Sequence, residues 1–430
     1  MEQARMGVVA GQALSIAPGI HWLGALDPAM RQFDIILKTA NGTSYNAYCV
    51  RGSEGVAIID TVKEGFAEDF FARLESVARY DEIRAVVLNH LEPDHSGALP
   101  ELMRRAPNAQ LYISPKAVPI LRSILKEALE PSRVHTTLDD DGQSRVIDLG
   151  GRRLRFLQTP YLHWPDTQCT WLAEEGVLFS GDVFGCHFCD ERLFNDRVGD
   201  FRFSFDYYYQ HIMRPFREYV LSALELIEPL PLRLIAPAHG PVLRESPVDY
   251  VRRYRQLATP LLHKEAGGNE KTLLIFYVSA YGATERMAQA LRTGAEQVEG
   301  VRVSLFDIAG GEVEPFVDLI EEADGLAFGS PTLNGDAVKP IWDLLSSLTL
   351  VDVKHKLGAA FGSYGWSGEA IGLIEDRLRG LKLRVPLKGV RLKLLPTPGE
   401  LADCQDFGRE FALHLCGRAQ KRVFDISELN

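Results

Sequence analysis

Asn89-His90-Leu91-Glu92-Pro93-Asp94-His95-Ser96-Gly97 is the stretch on which the fold turns. Two imidazoles and two carboxylates fall within six positions, directly after Ile83-Arg84-Ala85-Val86-Val87-Leu88, an apolar run that reads as a buried strand. Charges of one sign crowded so closely repel unless a cation sits among them. The stretch is therefore expected to form half of a two-metal site. The plainer alternative is a polar loop whose His and Asp residues cap a helix starting near Ser96.

Outward from this stretch, three more metal-competent residues follow apolar runs. His163 lies just beyond Leu154-Arg155-Phe156-Leu157, Asp182 beyond Val177-Leu178-Phe179-Ser180-Gly181, and His239 beyond Leu234-Ile235-Ala236-Pro237-Ala238. Each alone has an ordinary explanation: a core histidine, a turn former, a loop cap. Together they describe a site assembled along one edge of a sheet, where rigid strands hold side chains more accurately than loops do.

The surrounding elements fit this picture. Short strands are expected at Ile20–Leu23, Ser44–Val50 and Val56–Asp60, separated by turns at Asn41-Gly42 and Gly52-Ser53-Glu54-Gly55. A helix is predicted over Gly65–Ala78, with Phe66, Phe70, Leu74 and Val77 on one face. Further helices are predicted near Ala98–Arg105, Lys116–Leu129 and Pro247–Leu257, and further strands at Gln110–Ser114, Val146–Leu149 and Cys169–Leu172. Two blocks of strands with helices between them suggest two sheets packed as a sandwich and covered by helices.

The composition agrees with a soluble enzyme of more than one domain. The chain has 430 residues, 46% hydrophobic and 24% charged, and a net charge of -11 that argues against a nucleic-acid-binding surface. The N-terminus lacks a long apolar leader and no uninterrupted apolar run of about 18 residues occurs, so a cytoplasmic protein is expected. Six scattered cysteines make no disulfide framework. Cys186-His187-Phe188-Cys189 is a lone CxxC without the second pair that a zinc knuckle or iron site would need.

At Leu261–Glu270 charge and paired glycines break the apolar rhythm, and this segment reads as a linker. Beyond it strand and helix alternate regularly, with strands at Leu273–Val278, Val301–Phe306, Gly325–Phe328, Leu357–Phe361 and Val390–Leu394. Helices are predicted at Thr284–Val298, Val317–Ala323, Val338–Leu348, Ala370–Leu378 and Leu401–Leu415. This is the pattern of an open, doubly wound α/β parallel sheet, which binds ligands beyond the carboxyl ends of its strands.

Three loops at those ends suit a flavin mononucleotide (FMN). Ser279-Ala280-Tyr281-Gly282-Ala283-Thr284 offers backbone amides and two hydroxyls to a phosphate at a helix N-terminus. It lacks the Gly-Lys-Thr of a nucleoside-triphosphate loop. Gly329-Ser330-Pro331-Thr332-Leu333-Asn334-Gly335 and Gly362-Ser363-Tyr364-Gly365-Trp366-Ser367-Gly368-Glu369 supply small residues for close approach to a flavin edge, with Tyr364 or Trp366 available to stack on its face.

On His90-x-Glu92-x-Asp94-His95, His163, Asp182 and His239, together with these loops, the chain resembles the flavodiiron proteins, or A-type flavoproteins, over nearly its whole length. The resemblance implies an αββα metallo-β-lactamase-like domain over 1–260, the linker 261–270, and a flavodoxin-like FMN domain over 271–430. It implies one iron on His90, Glu92 and His163, a second on Asp94, His95 and His239, and Asp182 bridging; in some relatives the histidine matching His95 swings away. The wider superfamily usually has histidine where Glu92 stands and binds zinc. A carboxylate adds negative charge and a hard donor, which favours iron that must become ferric.

The resemblance further implies reduction of dioxygen to water, of nitric oxide to nitrous oxide, or both. It implies an external electron donor such as a rubredoxin or a reductase, and a head-to-tail homodimer or a dimer of dimers. His187 is a candidate for lining the substrate pocket. Two other functions remain open on sequence grounds: a dizinc hydrolase with an accessory flavodoxin-like domain, against which Glu92 argues, and an FMN electron carrier or redox sensor, against which the complete ligand set argues.

Overall fold

The computed structural model describes residues 7–33, 37–124, 130–259, 270–310 and 316–419. The chain divides into two compact units, Met1–Thr259 and Pro260–Asn430. All of the expected linker except Glu270, and the last five residues of the helix predicted to reach Leu129, lie outside the described residues.

In the first unit, alternation of apolar side chains along each strand builds four layers. Along Val56–Ile59, Val56 and Ile58 face one core and Ala57 and Ile59 the other; along Ile83–Val87, Ala85 and Val87 alternate with Val86 in the same way, while Ile83 shares the core of Val86 across a register shift in the pairing. This period of two is set by the pleat. A seven-stranded mixed sheet buries one face under the helices Ala67–Val77 and Leu99–Arg105. Its other face packs on a five-stranded mixed sheet through Trp22, Tyr48, Phe156, Leu172, Phe179 and Leu234. The outer face of that second sheet, carrying Trp171, Leu178 and Ile235, is covered by Arg202–Tyr208, Arg217–Ile227 and Pro247–Ala258. Each large side chain fully buried here contributes about 1.5–3 kcal/mol.

The expected strand Ser44–Val50 is two strands. Thr43–Tyr45 pairs with Ala25–Asp27, while Tyr48–Arg51 joins the seven-stranded sheet. The break falls at Asn46, whose side chain accepts from Trp22 Nε1 at 2.8 Å and donates to the carbonyls of Pro237 and Gly240, both at 2.9 Å. Those bonds turn the chain out of the ladder and tie it to the His239 loop.

The second unit is a five-stranded, wholly parallel sheet in the order Val301–Asp307, Lys271–Tyr277, Gly325–Gly329, Leu357–Tyr364, Val390–Lys393. Leu273, Ile275 and Tyr277 face the helices Ala283–Ala295 and Pro398–Leu415; Leu274 and Phe276 face Lys339–Ser347 and Glu369–Gly380. The first two helices press together at Gly294 and Gly408, where an added Cβ would strike the carbonyl oxygens of Gln405 and Leu291. The fourth strand runs on to Tyr364, so Gly362, Ser363 and Tyr364 belong to the sheet and the loop starts at Gly365. Among the described residues no helix is long and apolar enough to cross a membrane.

Candidate functional site

The opening stretch is held by bonds on every side. Asn89 donates its backbone N–H to Asp60 Oδ1 at 2.7 Å and its amide to Asp60 Oδ2 and the Phe179 carbonyl, both at 3.2 Å. After Glu92 the chain makes one helical turn, Pro93–Ser96, started by Pro93 and tied back by Ser96 Oγ to the carbonyls of Leu91 and Glu92 at 2.9 and 3.0 Å. Thr61 fixes the far end, donating its hydroxyl to the His95 carbonyl at 2.6 Å. The motif is thus a rigid strand end followed by a pinned turn.

The structure brings His90, Glu92, Asp94, His95, His163, Asp182 and His239 into one cluster with two pockets. His90 Nε2 and His163 Nε2 stand 3.1 and 3.0 Å from Glu92 Oε2, and 3.9 and 3.6 Å from Asp182 Oδ2. His95 Nε2 and His239 Nε2 stand 3.3 and 3.2 Å from the oxygens of Asp94, and 3.3 and 3.5 Å from Asp182 Oδ1. Each pocket therefore holds two imidazoles and one carboxylate, and Asp182 turns one oxygen toward each. Within each pocket one donor atom per residue lies within 4.8 Å of the others.

Burial opposes charge on His90, Glu92, Asp94, His95, Asp182 and His239, so their ionisation reports on their neighbours. Against burial, hydrogen bonds to Asp166 and Glu92 carry the His90 imidazole up to about 9. Against burial, Asp94 and Asp182 hold His95 well above its ordinary value. The imidazolium charges of His95 and His90 hold Asp182 far below the carboxylate range despite its burial. Among the described residues both oxygens of Asp94, Asp182 Oδ2 and His95 Nε2 are nevertheless buried with ion-pair contacts but no hydrogen bond. Buried carboxylate oxygens left so are costly. One cation in each pocket would satisfy them, and the hard oxygen of Glu92 suits iron.

Asp166, the Ser44 carbonyl and Tyr208 carry no sequence signal of their own, whereas His187 is a candidate from the sequence. Asp166 places both oxygens 3.2 Å from His90 Nδ1 and accepts the Leu91 N–H at 2.9 Å. The Ser44 carbonyl lies 2.7 Å from His239 Nδ1. Tyr208 donates its hydroxyl to Asp182 Oδ1 at 3.2 Å. His187 is buried with Nδ1 2.9 Å from Thr43 Oγ1, its ring 5.3 Å from that of His239 and 5.0 Å from that of Tyr208. Burial, then the charge of His239, lowers it to about 3, so it is neutral at physiological pH. Cys186 is buried and its thiol is pushed well up by burial, an unreactive state; Cys189 is a free, partly exposed thiol.

In the second unit the three nucleotide-suited loops converge on one end of the sheet. Thr284 Oγ1 lies 2.9 Å from Ser363 Oγ, and Ser279 Oγ accepts the Glu285 N–H at 3.2 Å. A Cβ on Gly362 would strike the Ser330 carbonyl, so these two strand ends can meet only with glycine there. Thr332–Leu333 and Asp336–Ala337 form a small hairpin over Asn334-Gly335, both at positive φ. Among the described residues Thr332 Oγ1 is buried without a partner, whereas Tyr281 and Trp366 are 91% and 76% exposed, an unfavourable setting for aromatic faces unless a planar ligand covers them.

Sheet pairing and loop placement define a metallo-β-lactamase-like unit joined to a flavodoxin-like one. Residues 43–240 match the family described as ODP family beta lactamase, and residues 275–408 match Flavodoxin. Over 416 residues the chain is 62% identical to the type A flavoprotein fprA of Rhodobacter capsulatus, covering 97% of this chain and 94% of that one. It is 34% identical to the anaerobic nitric oxide reductase flavorubredoxin of Aeromonas hydrophila, covering 93% and 79%. The solved structure of rubredoxin oxygen:oxidoreductase from Desulfovibrio gigas superposes with a TM-score of 0.65 at 29% identity, covering 95% of this chain and 99% of that one. The chain belongs to the type A flavoproteins, the flavodiiron family, whose cofactors are FMN and a non-haem pair of irons.

Proposed function

We propose that this oxidoreductase reduces dioxygen to water, nitric oxide to nitrous oxide, or both. In this reading His90, Glu92 and His163 hold one iron, Asp94, His95 and His239 the other, and Asp182 bridges them. The observation that carries it is the division of the Asp182 oxygens between two pockets of equal composition. When bound, the iron pair supplies adjacent redox-active positions for a diatomic gas, and FMN supplies electrons one or two at a time.

The protein's own part is orientation and exclusion of water. Asp166 and the Ser44 carbonyl accept from the Nδ1 of His90 and His239, leaving the Nε2 atoms to face inward. Tyr208 offers a hydroxyl proton at the bridging carboxylate, and Phe33, packed 4.3 Å from the His187 ring, walls the Asp94 side with apolar surface. FMN would sit at Ser279–Thr284 through its phosphate, with Pro331–Gly335 and Ser363–Glu369 beside the ring and Trp366 or Tyr364 stacked on it.

Similar proteins are named for each gas, which supports keeping both substrates. The reading further places the diiron domain at 1–260, a linker at 261–270 and the FMN domain at 271–430. It includes a head-to-tail homodimer or dimer of dimers in the cytoplasm, supplied by a rubredoxin or a reductase. Fully reduced protein carrying iron and FMN, mixed in stopped flow with O2 and with NO in parallel, should reoxidise within the dead time to seconds with at least one gas. Reoxidation by neither would overturn the proposal.

A further inference from the structure

The two pockets present equal donor sets, two imidazoles and a carboxylate each, around a shared Asp182. Beyond the exchange of Glu92 for Asp94 and the partial exposure of His163, the pockets diverge in what stands behind the donors. His90 Nδ1 faces a buried carboxylate, both Asp166 oxygens lying at 3.2 Å. Among the described residues His239 Nδ1 faces the neutral Ser44 carbonyl, at 2.7 Å. On the His95 side Asp60 is engaged by Asn89, and the ion-pair partners of His95 are Asp94 and Asp182. Tyr208 adds to the contrast by donating to Asp182 Oδ1, the oxygen turned toward His95 and His239.

A carboxylate behind an imidazole raises its donor strength, and a hydrogen bond into a bridging oxygen lowers that oxygen's. Both effects push electron density the same way. We propose that Asp166 and Tyr208 are positioning residues that make the two irons inequivalent. The His90–Glu92–His163 iron is oxidised first, and the singly oxidised pair has its ferric charge fixed on that side. When the diferrous pair gives one electron to an added one-electron acceptor such as ferricyanide, ferrocyanide forms and that electron leaves the Asp166-backed iron.

The inference rests on the diiron reading above, and iron analysis separates the two: a chain that binds no iron pair defeats that reading, whereas the following tests assume two irons per chain. In a potentiometric titration followed by electron paramagnetic resonance, the wild-type protein should show two resolved one-electron midpoints with a mixed-valence signal between them. Asp166→Asn keeps an acceptor for the Leu91 N–H and should raise only the lower midpoint; Asp166→Glu, which keeps the charge, should restore it. Tyr208→Phe should lower only the upper midpoint. Either Asp166→Asn or Tyr208→Phe therefore shrinks the maximum mixed-valence yield, from opposite ends. A single two-electron step in the wild type, or midpoints that stay put or move together in variants retaining two irons, overturns the inference.

Discussion

Glu92 replaces an imidazole nitrogen by a charged oxygen, and its contacts at 3.1 Å to His90 and 3.0 Å to His163 make it the centre of its pocket. Glu92→Gln removes the charge with little change of shape. Expected is a folded protein whose iron content falls from two toward one per chain and whose turnover with either gas drops about tenfold or more, read by metal analysis and stopped flow. Full iron and unchanged rates would place the site elsewhere. At this scale the seven clustered residues were legible because metal-competent side chains recur at strand ends. Asp166 and Asp60 were not, since a single loop carboxylate is indistinguishable from a turn former until its partner is seen. The Ser44 carbonyl was invisible in principle, because every residue has one.

Among the elements, runs with one clear period were readable, as the alternation in Val56–Ile59 and the helical face of Phe70 and Leu74 show. The segment Arg202–Ile227 was not, because aromatic residues point both ways: Phe205, Tyr208 and Tyr209 are buried while Phe203 is 75% exposed, and the helix widens into a π turn over Tyr209–Met213. The interruption at Asn46 was hidden by flanking residues that all favour strand. Asn46→Ala strands the Trp22 indole N–H and removes the donor to two carbonyls, so it should cost about 2–3 kcal/mol in denaturant unfolding. Iron on the His239 side should then be released faster to a chelator. In the other unit, Gly408→Val drives a side chain into the Leu291 carbonyl and should cost about 1–3 kcal/mol, seen as FMN fluorescence released at lower temperature while iron is retained.

For the whole molecule, the metal-free first unit should respond to pH in a sense set by its imidazoles. A histidine raised in the fold stabilises it fully below the unfolded value of about 6.5 and loses that contribution as pH climbs through the folded one. For His90 that window closes near 9, and His95 acts in the same direction. Iron-free protein should therefore melt lower with each step from neutral toward pH 9, by roughly 2–4 °C per kcal/mol lost. Iron-loaded protein, whose imidazoles hold metal rather than protons, should stay level across the same range. Calorimetry of both forms decides it, and parallel slopes would show that the cluster's protons do not govern stability.

The four-layer arrangement has a mechanical side as well. His90, Glu92, Asp94 and His95 hang from the end of one sheet, while His163, Asp182 and His239 hang from the other. An iron pair held by the proposed ligands would be a rivet through the sandwich. Sliding one sheet past the other would have to shear several coordinate bonds at once, whereas the metal-free protein resists such a slip only through side-chain packing.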